Sequence, residues 1–414
     1  MFSYVYTDDN GDVFVDEEFQ ALGRSGNQIV EPLEEEMIPM PDGATFILIP
    51  ERTPIVSKFN SFIRYPFPEN QQVGVILPQG YTRTLLPAFT KEEEQAKPLP
   101  LFGYTMVAHR DGQFYVAAVK TDEDATWNPE HYNTDDLPKK INALKNRFPK
   151  NKLVKHLSNC AIHYSCFTAQ NIFYRRWEGG IPVSPACNAD CLGCISMQSS
   201  ECCPAPQQRI TFVPEVNEMV ELMVYHLQSD DAIISYGQGC EGEPSLQSER
   251  IAESITLTRE QTQKGTINAN TNAGYTKGIK KMIDAGIDSL RVSLNSMVAK
   301  NYEAYYKPNG YTLDQVSESL LYADQKGCYT YLNLLLFPGV NDTHQEAEAL
   351  IDFVRKNKVK EIQFRNLNID PDYYTNTMDA DAEPLGITTL IAIINQELPE
   401  VKIGNYSKPR QRNT

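Results

Sequence analysis

The feature of this sequence that most limits its fold is a change of rhythm near residue 180. Beyond it, short β-branched and apolar runs alternate with longer stretches of 3.6-residue periodicity, the signature of parallel βαβ units. Strands are expected at 181–184, 232–236, 266–271, 289–294, 330–337 and 361–367. Between them, Val216, Met219, Val220, Met223, Val224 and Leu227 form one apolar helix face, and Ala347, Leu350, Ile351 and Val354 form another. Gly286 and Gly327 stand where helix C-caps belong. Six consecutive right-handed βα units build a partial barrel or an open doubly wound sheet, and in both the ligands bind at the C-terminal ends of the strands. The expected fold class is α/β, a partial (βα)6 TIM-like barrel with an N-terminal β-rich accessory region.

The first half reads differently. Residues 45–49 and 73–77 are short apolar runs bounded by Pro and Gly, and 104–109 with 113–119 predict a hairpin around Asp111-Gly112. Lys139, Lys140, Lys145, Arg147, Lys150, Lys152 and Lys155 then make a basic stretch, with Ile141, Leu144 and Phe148 at helical spacing. The expected organisation is a β-rich accessory domain at 1–135, a basic linker region at 136–177 containing Cys160 and Cys166, a barrel at 178–375, and a C-terminal helix and tail at 376–414. A length of 414 residues suits two to three domains, and 41% hydrophobic with 22% charged residues suits a chain that buries a real core. The excess of 54 acidic over 38 basic side chains, a net charge of −16, argues against a nucleic-acid partner. The N-terminal residues carry carboxylates where a secretory leader is apolar, and no later run approaches the ~20 residues of a membrane span. A cytoplasmic protein is expected.

An odd count of nine cysteines then fits reduced thiols and metal ligation better than a disulfide framework. Three of them stand directly after the first expected strand, in Cys187-Asn-Ala-Asp-Cys191-Leu-Gly-Cys194. Their spacing lets three thiolates converge on one centre and leaves a coordination position open. Structural zinc wants a closed set of four, whereas a [4Fe–4S] cluster on three cysteines presents one iron to a ligand. The plainer reading of the same residues is a buried or zinc-bound thiol cluster.

These cysteines, with the residues that follow the later strands, resemble the radical S-adenosylmethionine (radical SAM) superfamily. Gly242-Glu243-Pro244 is similar to the family's Gly-Glu-Pro motif, which receives the methionine ammonium group, and Asn270-Thr271-Asn272 is similar to its Thr-Asn turn. Ser293 and Asn295 occupy the place of polar contacts to the SAM ribose and carboxylate, and Val340 that of the apolar backbone beside adenine. The sixth strand, with Gln363 and Arg365, puts polar groups over the substrate cavity. The resemblance covers roughly residues 178–370. It implies an enzyme that binds a [4Fe–4S] cluster through Cys187, Cys191 and Cys194, cleaves SAM reductively and acts on a substrate through a 5′-deoxyadenosyl radical. One position departs from the family: the residue before the third cysteine, commonly aromatic beside adenine, is Gly193, so Leu192, Ile195 or the Val340 segment must complete that site.

Other readings compete. Gly237, Gly239 and Gly242 also satisfy GxGxxG, but a dinucleotide turn sits on the first strand and opens a helix directly. A non-catalytic iron–sulfur or zinc protein, an electron carrier or scaffold, would have no use for a carboxylate such as Glu243 beside an open iron. Some of Cys160, Cys166, Cys202, Cys203 and Cys240 could ligate a second Fe–S cluster, or a zinc ion together with His156 or His163, or be simple buried thiols. Cys328, between a helix and a strand, reads as core. The basic stretch reads first as a solvated helix face and second as a dock for an acidic electron donor such as flavodoxin or ferredoxin. The rings of Tyr174-Arg175-Arg176-Trp177 are expected to close the barrel bottom.

Overall fold

In the computed structural model, which describes residues 1–8, 10–91, 96–123, 125–198, 205–378 and 380–410, the second half of the chain winds a seven-stranded parallel sheet in strict sequence order. Its strands are β1 (Glu178–Gly180), β2 (Ile233–Tyr236), β3 (Thr266–Thr271), β4 (Ser289–Leu294), β5 (Tyr329–Leu336), β6 (Glu361–Asn366) and β7 (Lys402–Gly404). A doubly wound sheet reverses its order at a switch point, and this one never does. Helices cross from each strand to the next, among them Val216–Leu227 after β1 and His344–Asn357 after β5. Their apolar faces join the strands in one continuous core. Gly286 and Gly327 lie just past helix ends with φ of 97° and 72°, a backbone that suits glycine.

Two expectations need correction. The first strand is not 181–184: the ladder runs over Glu178–Gly180, its last bond is Ile181 N–H to Ser235 O at 2.9 Å, and the N–H groups of Val183 and Ser184 turn instead to the carboxylate of Glu241. Apolarity marked the burial of Ile181 and Val183 but not where strand pairing stops. The strands also number seven, because Lys402–Gly404 in the expected tail pairs in parallel with β6.

The inward face of the sheet is polar. Glu178 on β1 accepts from Ser235 on β2 at 2.6 Å and pairs with Arg291 on β4 at 3.4 Å, while Arg291 donates to Asn270 on β3 at 2.7 Å. On a flat sheet β1 and β4 stand three strand spacings apart, roughly 14 Å. Their contact shows that the sheet curls around this interior.

The first half folds mainly as an antiparallel sheet of eleven strands, with the Val107–Arg110 and Gln113–Lys120 hairpin turning at Asp111 (φ 52°) and Gly112 (φ 80°). Three helices follow, α1 (Leu137–Arg147), α2 (Lys152–His163) and α3 (Phe167–Tyr174), so the basic stretch spans two helices, with Asn151 capping the second. The antiparallel region, which includes a smaller three-stranded sheet whose turn carries Gly26, docks where β5 and β6 end. Gly26 N–H donates to Pro338 O at 2.9 Å, Arg83 Nη2 to Leu367 O at 2.9 Å, and Arg52 pairs with Asp370 at 2.9 Å with both side chains buried. No helix among the described residues is long and apolar enough to cross a membrane.

Candidate functional site

The three cysteines lie on the loop that leaves β1, and the end of the helix Ala299–Tyr306 holds that loop in place. Asp190 N–H and Leu192 N–H donate to the carbonyls of Tyr306 and Tyr305, each at 3.0 Å, and Asn309 N–H donates to Asn188 O at 2.8 Å. Cys187, Cys191 and Cys194 are half-buried, and all three line one cavity of about 210 Å³. The same cavity is lined by Gly242, Glu243, Pro244, Asn270, Thr271 and Ser293, which come from the ends of β2, β3 and β4. Asn295 and Val340 are buried outside it; Asn295 Nδ2 donates to Asn301 O at 3.3 Å and to the Tyr374 hydroxyl at 3.4 Å.

Two buried carboxylates shape the loop after β2. Glu241 accepts four backbone N–H groups: Val183 at 2.7 Å and Ser184 at 2.9 Å from the β1 exit, Gly237 at 2.6 Å and Gln238 at 2.8 Å from its own loop. Burial pushes its carboxyl up to about 7, against the pull of those donors. Glu243 accepts from Ser245 N–H at 2.9 Å, from Asn272 N–H at 2.8 Å and from the Thr271 hydroxyl. Burial raises its carboxyl as well, with the same three donors opposing. Glu241 thus stitches β1 to the loop, and Glu243 stitches the loop to the turn after β3. Backbone crowding explains the glycines. A Cβ on Gly242 would lie 2.0 Å from Ala186 O, and one on Gly237, at φ 76°, would lie 1.8 Å from Asn270 O.

Two of the three thiols are electrostatically unready on their own. Burial first, and Glu243 second, push Cys187 up to about 11, while burial and the two neighbouring thiols raise Cys191. A cation taking the place of those two protons would draw both into thiolates. One cation already faces the triad: Arg209 donates to Cys194 Sγ at 3.3 Å and to Ser196 Oγ at 3.0 Å. The donor set fits a cluster, because three thiols share the cavity and no fourth described thiol lines it. At Gly193 the space beside an added Cβ is taken by the Tyr305 hydroxyl at 2.9 Å. The ring absent from position 193 therefore has a neighbour in Tyr305, and Ile195 lines the cavity while Leu192 is core. Glu241, Ser196, Arg209 and Tyr306 carry no motif; only the doubled glutamate of Cys240-Glu-Gly-Glu243 hinted at the first.

A larger cavity, about 500 Å³, opens at the opposite ends of the strands, lined by Trp177, Glu178, Ile233, Thr266 and Arg410. Among the described residues it gathers no group of metal-ligating side chains, and active sites of such sheets form at the C-terminal ends. Of the remaining cysteines, Cys160 and Cys240 meet beside His156, Cys166 precedes α3, and Cys202 and Cys203 lie outside the described residues. His163 ends α2 exposed and outside that group. Cys328 is buried in the core.

A model of the radical SAM superfamily matches residues 181–354. No curated protein matches the chain. Among solved structures, the chain is similar to anSMEcpe with bound AdoMet, at 15% identity over 46% of this chain and 51% of that one, with a TM-score of 0.35. It is similar to HydG, a maturase of the [FeFe]-hydrogenase, at 16% identity over 66% and 63%, with a TM-score of 0.40. A radical SAM methyltransferase from Sphaerobacter thermophilus gives 17% identity over 54% and 63%, with a TM-score of 0.39. The chain spans about half the length of the first of these.

Proposed function

We propose, for an enzyme whose residues 181–354 belong to the radical SAM superfamily and whose cofactors are accordingly a [4Fe–4S] cluster and SAM, that Cys187, Cys191 and Cys194 hold that cluster at the mouth of a partial barrel. The observation that carries this assignment is one cavity in which three half-buried thiols meet the Gly242-Glu243-Pro244 loop. When bound, cluster and SAM together supply one-electron cleavage of a carbon–sulfur bond, giving methionine and a 5′-deoxyadenosyl radical able to abstract hydrogen.

The chain's own residues position and exclude. Glu243 keeps a carboxylate at the cavity wall, where an ammonium group would gain a charge-assisted bond, and Glu241 fixes the loop that carries it. Asn270, Thr271 and Ser293 offer polar contacts along the ends of β3 and β4, while Asn295 and Val340 act from behind the wall. Arg209 offsets the negative charge gathered on three thiolates. Water exclusion and placement of one C–H bond fall to the curled sheet and to the N-terminal antiparallel region, which docks at the ends of β5 and β6 through Gly26, Arg52 and Arg83. A cleft of about 180 Å³ lined by Gln79, Tyr81, Gly103, Arg365, Asn366 and Asn368 lies along that junction and suits a substrate route. The electron donor is an acidic protein of the flavodoxin or ferredoxin kind, drawn by the basic stretch Lys139 to Lys155. Seven described cysteines, all free, suit the reducing cytoplasm.

Changing Cys191→Ala tests the reading. The anaerobically reconstituted variant should release no methionine or 5′-deoxyadenosine from SAM under a chemical reductant. Full cleavage by the variant removes the triad from the chemistry.

A further inference from the structure

His156 and Cys160 stand four residues apart on α2, so their side chains share one helix face. Cys160 Sγ lies 3.6 Å from His156 Nε2. Cys240 comes to the same point from the loop after β2, and its backbone is fixed there by Ile210 N–H, which donates to Cys240 O at 2.7 Å. All three ligand atoms lie within 4.8 Å of one another. Both thiols are buried, and the half-buried imidazole is held edge-on against Phe212.

We propose that His156, Cys160 and Cys240 form a second metal site, separate from the cysteine triad, which takes one divalent ion of the zinc class through an imidazole nitrogen and two thiolates. The spacing decides between a single ion and a cluster. Tetrahedral zinc, with bonds of about 2.3 Å to sulfur and about 2.0 Å to nitrogen, holds its ligand atoms roughly 3.3–3.8 Å apart, so these three atoms need only a small rotameric adjustment. A cluster spreads its thiolates over separate irons and draws chiefly on cysteine, and here one of three ligands is histidine. Cys166 stands close by, its N–H donating to Cys160 O at 3.1 Å, but its thiol faces the Thr168 hydroxyl at 3.3 Å and lies outside the group, so the fourth position of the tetrahedron falls to water. Binding releases the thiol protons. The ion ties α2 to the segment Cys240-Glu241-Gly242-Glu243, so it would brace the loop proposed to face SAM without touching the reacting atoms.

The site is independent of the assignment of the triad, and its test isolates it. The full chain carrying Cys187→Ser, Cys191→Ser and Cys194→Ser is loaded with zinc alone, freed of excess metal and measured by elemental analysis and zinc X-ray absorption. About one zinc per chain in a mixed nitrogen and sulfur shell is expected, and adding Cys160→Ser with Cys240→Ser should reduce the content at least tenfold. Should the triad variant fail to fold, the same pair is changed in the otherwise unaltered chain after reconstitution with iron, sulfide and zinc. There the zinc should disappear and about four irons per chain remain. Zinc content indifferent to the Cys160 and Cys240 changes overturns the proposal. So does iron with sulfide, rather than zinc, held by these residues.

Discussion

Replacing Glu243→Gln keeps the shape of the side chain and removes its charge, which makes it the sharpest probe of the loop after β2. Glu243 accepts two backbone N–H groups, from Ser245 at 2.9 Å and from Asn272 at 2.8 Å, one on each oxygen. In either orientation the glutamine amide therefore turns an NH2 toward one of those N–H donors. The lost charge-assisted bond is worth about 1.5–3 kcal/mol, and the buried donor left unpaired costs about 1–3 kcal/mol more. The loop can relax away part of this sum. A residue of about 2 kcal/mol felt by the ligand weakens SAM binding roughly thirtyfold. The assay is equilibrium binding of SAM to the anaerobically reconstituted chain, with the cluster absorption recorded on the same samples. The expected result is weaker binding with an unchanged cluster spectrum, because Glu243 bonds to none of the three cysteines. SAM affinity within twofold of the parent refutes the reasoning.

Three further outcomes are expected. Arg52→Met strands Asp370 as a buried charge, since the two side chains are 0% and 3% exposed. It should cost about 3–5 kcal/mol in the urea unfolding of the unit that spans the junction; an unchanged midpoint contradicts this. Arg209→Met withdraws a positive hydrogen-bond donor from Cys194 Sγ, so the cluster should become harder to reduce, and a potential equal to or above the parent's in a redox titration counts against the contact. His226 is buried, with its Nε2 2.8 Å from Trp177 O, and burial pushes it down to about 4 from an ordinary 6.5 while that carbonyl opposes. As pH falls from 6.5 to 4 the unfolded chain takes up a proton that the folded chain refuses, so about 3 kcal/mol of stability is lost over that window. His226→Gln keeps a donor toward Trp177 O and should flatten the pH dependence there. Parallel wild-type and variant curves would show that His226 titrates normally.

The parts of this molecule that could be read from residues alone are those written in local patterns. Alternating strand and helix periodicities announced a parallel sheet, and Gly286 and Gly327 marked helix ends because a positive φ requires a residue like glycine there. The cysteine triad, Glu243 and Asn270 to Asn272 could be placed near one another because each stands at or beyond a strand's C-terminal end, where the topology brings side chains together. What escaped is non-local or too short. Lys402–Gly404 is three residues, too few to show alternation. Glu241 replaces a strand partner for Val183 and Ser184 from more than fifty positions away, so the first strand was placed three residues late. Arg52 finds Asp370 across 318 positions, and nothing in either neighbourhood announces the pair. His156 and Cys160 have a helical spacing, yet their third partner, Cys240, arrives from a loop eighty residues later, so the grouping appears only once the chain is folded.

The central claim is that Cys187, Cys191 and Cys194 hold a cluster with one iron open to SAM. The measurement that meets it most directly is the electron paramagnetic resonance spectrum of the reduced, anaerobically reconstituted chain, recorded with and without SAM alongside its iron content. The account predicts about four irons per chain and a signal that shifts when SAM is added. A chain that assembles no cluster, or a signal indifferent to saturating SAM, contradicts it.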